Sequence, residues 1–144
     1  QEIIRMVATF VLMDRESRKV HPVVPEIVAP YQSDFSKKLV RGPKYTELEE
    51  AISKDYHVRF YDLDMNGHVN NSKYLDWIFE VMGADFLTNH IPKKINLKYV
   101  KEVRPGGMIT SSYELNGLES NHQVSSDGDI NAQAKITWQE INKD

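Results

Sequence analysis

The sequence predicts an α+β domain in which an antiparallel sheet curls around one long central helix. Three observations lead there. The stretch from about Asn71 to Leu87 is apolar over most of a helical circumference, and such a helix must be surrounded by protein. Four strand-like stretches follow it, two of them meeting at Asp127-Gly128, a strong tight-turn pair. In the last stretch Ile130, Ala132, Ala134, Ile136 and Trp138 share one face by strict alternation.

Along the chain, residues 3 to 13, "IIRMVATFVLM", are β-branched and apolar and predict a strand buried on both faces. "DRES" turns the chain, and the three prolines of "KVHPVVPEIVAPY" forbid a long helix or a central strand. Residues 31–53 have no strong period and read as a connector, with a short helix expected in "KYTELEEAISK". "YHVRFYDLD" predicts a strand alternating around Val58 and Phe60, ended by a turn at Asn66-Gly67. In the helix that follows, Lys73, Asp76, Glu80 and Gly83 form one narrow polar stripe. "INLKYVKEV", "MITSSYEL", "HQVSS" and "INAQAKITW" supply the later strands.

At 144 residues, with 40% hydrophobic and 27% charged residues, the chain suits one globular domain with a real core. A net charge of −3 does not suggest a whole-protein nucleic-acid or membrane-surface binder. Cysteine is absent, which removes disulfides, thiolate metal sites and cysteine nucleophiles together. No apolar run approaches the roughly 20 residues that span a bilayer, and "QEIIRMVATF" lacks the layout of a signal peptide. A cytoplasmic location is the expectation.

The informative stretch is "YDLDMNGHVNNSKYLDW", Tyr61 to Trp77. It opens like a calcium loop, but the twelfth place, which should be a bidentate Glu, is Lys73, and a strand rather than a helix precedes it. The five histidines show no ligand-pair spacing, so no metal and no cofactor are expected. Capping accounts for part of the stretch: Asn70 or Asn71 could accept from the first turn of the helix. It does not explain why Asp64, Asn66 and His68 fall at every second position, on one side if the stretch is extended. A helix N-terminus suits an oxygen that becomes negative in a reaction, and a carboxylate, an amide and an imidazole beside it can orient and transfer protons. That set fits acyl transfer to water.

These residues resemble the acyl-acyl-carrier-protein (acyl-ACP) thioesterases, and more broadly the hotdog-fold thioesterases. The resemblance lies in Asp64-x-Asn66-x-His68-Val69-Asn70-Asn71-x-Lys73-Tyr74, then Trp77 and Glu80, and in "YVKEV", whose acid is Glu102. It implies a hotdog fold, the release of fatty acid from acyl-ACP at the end of fatty acid biosynthesis, and an acyl carrier protein as partner. It implies catalysis by Asp64, Asn66, His68 and Glu102, with Val69, Asn70, Asn71, Tyr74 and Trp77 around the substrate. Family members carry two hotdog domains in tandem. Residues 1–30 therefore read as the trailing strand and exit of an upstream hotdog, 31–53 as linker, and 54–144 as the catalytic C-terminal hotdog.

Some members have a cysteine directly after the acid; here that place is Val103, so the chemistry rests on carboxylate, imidazole and amide. Strict alternation from Ile95, Leu97 and Tyr99 puts Glu102 on the opposite face, and a bulge near Val100-Lys101 would reverse this. Without that bulge Asp64 alone is the base or nucleophile, as in acyl-CoA thioesterases of this fold. A non-catalytic acyl-binding hotdog module is the third reading. Lys93, Lys94, Lys98, Lys101 and Arg104 could steer an acidic carrier protein. A lone hotdog would pair with a second copy, or with an upstream hotdog, giving a homodimer or its equivalent.

Overall fold

The structure, a computed structural model, describes residues 3–17, 19–31 and 41–142. The chain divides into two compact units, Gln1–Arg41 and Gly42–Asp144. In the first, β1 (Leu12–Met13) and β2 (Val20–His21) pair antiparallel beyond a turn held by Asp14, whose carboxylate accepts from the N–H and hydroxyl of Ser17. Helix α1 (Pro25–Val28) starts on a proline, whose missing N–H would have no partner in a first turn. The long buried strand expected over 3–13 is reduced to Leu12–Met13, and Ile3, Ile4 and Phe10 are exposed. An apolar run becomes a buried strand only where neighbours pair its edges and cover its faces, and residues 3–11 pair with none of the described strands. Of the expected linker, residues 32–40 lie outside the described residues.

The second unit carries β3 (Ile52–His57), α2 (Asn71–Glu80), α3 (Ala84–Leu87), β4 (His90–Tyr99), β5 (Met108–Asn116), β6 (Glu119–Ser126) and β7 (Asp129–Glu140). The sheet runs β3-β5-β6-β7-β4, antiparallel throughout. The β6–β7 turn takes positive φ at Asp127 (52°) and Gly128 (81°), the geometry a two-residue hairpin needs. One face of the sheet lines the core: Ile109, Val124, Ala132, Ala134, Ile136 and Trp138 are buried. The short helix expected before β3 does not form. Residues 42–51 are irregular, with Glu114 of β5 accepting from the N–H groups of Glu49 and Glu50, and the strand begins at Ile52. The strand also ends earlier than expected. Val58 is buried, but Phe60 starts a 3-10 turn (Phe60–Asp62) and is exposed.

Helix α2 lies against this face because Tyr74, Trp77, Ile78, Val81 and Met82 recur at helical spacing and are all buried. Ile78 is fully buried, a burial worth roughly 1.5–3 kcal/mol. Asp76 and Glu80 keep to the exposed stripe that the sequence marks out. Ser111 of β5 donates to the Trp77 carbonyl (3.0 Å), meeting a polar group near the helix end. The helix is shorter than expected. It ends at Glu80, and Gly83, at φ 84°, separates it from α3; a left-handed residue cannot continue a right-handed helix.

The core also holds polar groups. Trp138 donates through Nε1 to Ser120 Oγ (2.8 Å), which lies 2.7 Å from Nε2 of His122. His122 is 2% exposed, stacks on Tyr113, and burial pushes its imidazole down to a pKa of about 4.

Candidate active site

The site is built from two segments that meet at the start of α2. The first is the loop from Arg59 to Asn70. Asp62 is buried, which pushes its carboxyl up, but the Arg59 side chain and backbone N–H outweigh that and hold it below the usual carboxylate range. Its carbonyl accepts from the Asn70 N–H (2.8 Å), and Leu63 bridges Val69, so the loop closes on itself. Within the loop, Asp64 Oδ1 accepts from the N–H groups of Asn66 (2.8 Å) and His68 (3.1 Å). The His68 N–H above all holds the Asp64 carboxyl below its ordinary value, against an opposing effect of burial. Residues 64–68 are therefore a turn, not the extended stretch expected from their period. Carboxylates collect N–H donors, and two successive donors bend the chain around Asp64.

Helix α2 then starts on Asn70, whose Oδ1 accepts from Ser72 N–H (3.0 Å) and whose carbonyl accepts from Lys73 N–H (2.9 Å). Among the described residues the Asn71 N–H has no acceptor within the chain. The second segment is the end of β4. The N–H groups of Val100 (2.8 Å) and Lys101 (3.1 Å) both donate to the carbonyl of Asn131, so two residues of one strand oppose a single residue of the other. That is a β-bulge. Tyr99 faces the helix, where its hydroxyl donates to the Asn71 carbonyl (2.9 Å); Glu102 comes an odd number of residues later and still lies on the helix side.

Between the segments lies a cavity of about 290 Å³ lined by Asp64, His68, Val69, Asn70, Asn71, Tyr74 and Glu102. Asn66 sits exposed at the loop tip and is not in the lining, and Trp77 is buried in the core, edge-on to Tyr74. None of Lys93, Lys94, Lys98, Lys101 and Arg104 reaches the cavity, and Lys101 is ion-paired to Asp129. The wall thus presents carboxylates, an imidazole and a helix N-terminus to one space. Such a set can bind a carbonyl, hold a water and move protons. Asn131 and Tyr99 were not marked out by the sequence, since each sits in an ordinary alternating strand pattern.

Comparison with known proteins follows the same division of the chain. The family model described as acyl-ACP thioesterase C-terminal domain matches residues 45–140, and the corresponding N-terminal domain model matches residues 1–31. A chloroplastic palmitoyl-acyl carrier protein thioesterase of Gossypium hirsutum is 26% identical over 139 residues, covering 90% of this chain and 33% of its own length. A chloroplastic acyl-[acyl-carrier-protein] hydrolase of Cuphea viscosissima is 31% identical over 109 residues, covering 68% of this chain and 26% of its own. The chain thus spans about a third or less of these relatives. Among solved structures, a Lactobacillus plantarum protein described as an oleoyl thioesterase superposes with a TM-score of 0.81 at 31% identity, over 91% of this chain and 55% of that one. The 12:0-ACP thioesterase of Umbellularia californica gives 0.74 at 22% identity, over 90% and 53%. The fold is the hotdog of these thioesterases. The expected cytoplasmic location is corrected: these curated relatives, and those of Arabidopsis thaliana, are described as chloroplastic. On the match over residues 45–140, the chain belongs to the acyl-ACP thioesterase family.

Proposed function

We propose that this chain hydrolyses the thioester of an acylated acyl carrier protein and releases the fatty acid, the step that ends chain growth. The observation that carries the reading is the single cavity wall that gathers Asp64, His68 and Glu102 at the N-terminus of α2. The thioester carbonyl would lie toward the Asn71 N–H; Asn66, exposed at the tip of the adjoining loop and outside the cavity lining, is given no contact with it. Glu102 and His68 would take a proton from a water as its oxygen attacks the carbonyl carbon. The negative charge that forms on the carbonyl oxygen would meet the helix dipole. Collapse would break the C–S bond, and the carrier's sulfur would leave with a proton. Asp64, bound to its own turn, would fix the position of His68. With no cysteine in the chain, no thiol of its own can serve as nucleophile.

The acyl carrier protein would approach over the β4 lysines, and the exposed edge of that strand would pair with a second hotdog, in the same polypeptide or in another copy. The test is release of free thiol from acyl-ACP and from acyl-CoA by the wild-type chain, Asp64→Ala and Glu102→Ala. Hydrolysis of acyl-ACP lost in both variants supports the reading. Activity that survives Glu102→Ala but not Asp64→Ala would replace it with the single-aspartate scheme of acyl-CoA enzymes. A folded chain, inactive even beside an upstream hotdog, would be a binding module.

A further inference from the structure

We infer that Asn131 is a positioning residue that holds Glu102 in the site, an inference that rests on the catalytic reading of Glu102. Asn131 is 1% exposed, although it directly precedes buried Ala132 in β7 and strict alternation would turn one of the two outward. The register explains this. Val124 of β6 pairs with Ala132 and Ser125 pairs with Ile130, so Asn131 is the extra residue of a bulge in β7. On its other edge the same residue faces the bulge in the β4 end, where its carbonyl accepts from Val100 and Lys101. Two bulges on opposite edges of β7 therefore meet at one asparagine.

The side chain completes the arrangement. Asn131 Nδ2 donates to the carbonyls of Lys101 and Glu102 (3.3 Å each), and Oδ1 accepts from Ser126 Oγ (2.8 Å). The two backbone carbonyls can only accept, so they fix the amide with its donor end toward the Glu102 backbone, and the Ser126 hydroxyl donates to the other end. From the other side, the Val103 N–H donates to Tyr74 Oη (3.2 Å), and Tyr74 lines the cavity. The peptide unit between Glu102 and Val103 is held at both its polar atoms, by the sheet on one side and by α2 on the other. These bonds limit the movement of a segment that lies past the regular ladder, and a shift of about 1 Å in a reacting group can cost on the order of 100-fold in rate.

The experiment is a double-mutant cycle on acyl-ACP hydrolysis, with wild type, Glu102→Gln, Asn131→Ala and the double variant, together with amide hydrogen exchange. Asn131→Ala is expected to lower kcat roughly 10- to 100-fold with little change in KM, and to add nothing once Glu102 is already Gln. Exchange at Val103 should quicken while Ile109, in the middle of the sheet, stays protected. Should Asn131→Ala fail to fold, Ser126→Ala removes only the bond to the amide oxygen of Asn131; a smaller fall in kcat is expected, again absent beside Glu102→Gln. Losses that multiply in the double variant would overturn the inference and leave the catalytic reading standing, because the asparagine would then act independently of Glu102. Full activity in Glu102→Gln would overturn both.

Discussion

The hydroxyl of Tyr99 donates to the backbone carbonyl of Asn71 across 2.9 Å, joining the end of β4 to the first turn of α2. The two walls of the cavity are thereby tied directly, and the edge contact of the Tyr74 and Tyr99 rings (centroids 5.2 Å apart) reinforces the tie. Tyr99→Phe keeps the ring and removes the bond. Because Tyr99 is partly exposed, water can serve the freed carbonyl, so the expected loss is about 0.5–1 kcal/mol in urea denaturation.

Asn70 caps the same helix. Asn70→Ala leaves the Ser72 N–H without its acceptor and is expected to lower stability by about 1 kcal/mol, read as a fall in Tm. Asn70→Ser, which keeps a capping oxygen, should recover most of that loss.

The loop carboxylates set the acid limit. Asp62 and Asp64 both have folded values below their unfolded ones. Their contribution is therefore complete above the unfolded carboxylate range, near pH 4, and is lost as pH falls through the folded values. Asp62→Asn should flatten the stability–pH curve below about pH 4 and leave it unchanged in slope near pH 6, as measured by denaturation at a series of pH values.

His122 acts in a different window. Buried and neutral, it titrates at about 4 in the folded chain, against about 6.5 unfolded. As pH falls from 6.5 toward 4 the unfolded state binds a proton that the folded state refuses, so stability is lost across that interval and levels off below it. The loss amounts to about 3 kcal/mol. His122→Phe should remove this slope between pH 6.5 and 4 while sparing the limb at lower pH due to Asp62 and Asp64.

Much of this architecture is legible in the residues. The alternation of Ala132 to Trp138 and the turn at Asp127-Gly128 specify β6 and β7, and the apolar spacing of Tyr74 to Met82 specifies α2; Ile130, expected on the same face, is turned off it by the bulge at Asn131 and lies beside Ser112 and Gln123. The errors share a cause, which is that local pattern does not report what the rest of the chain supplies. Ile3 to Val11 is apolar enough for a buried strand but has no ladder partner among the described residues. Ile52 to His57 lacks a strong period, yet pairs with β5 along its whole length. Gly83 reads as one more member of a polar stripe, and only its backbone angle shows the break. For the site, the sequence marks the Asp64–Asn71 stretch and shows that Glu102 needs a bulge to face it. Asn131 stays hidden, because its burial follows from a register shift rather than from its neighbours in sequence.

The shared Asn131 carbonyl gives residue count a weight that residue identity lacks in this segment. Loss of either Val100 or Lys101 would delete no charged partner of the cavity and no core side chain. It would remove the bulge, and Glu102, then two residues after Tyr99, would keep to the helix side by simple alternation, whereas one residue gained beside an intact bulge would carry it to the other side of the sheet. Among natural variants of this chain, single-residue gaps at this point should thus be commoner than single-residue insertions. Where such an insertion does occur, the carboxylate of the second segment would have to come from a neighbouring position.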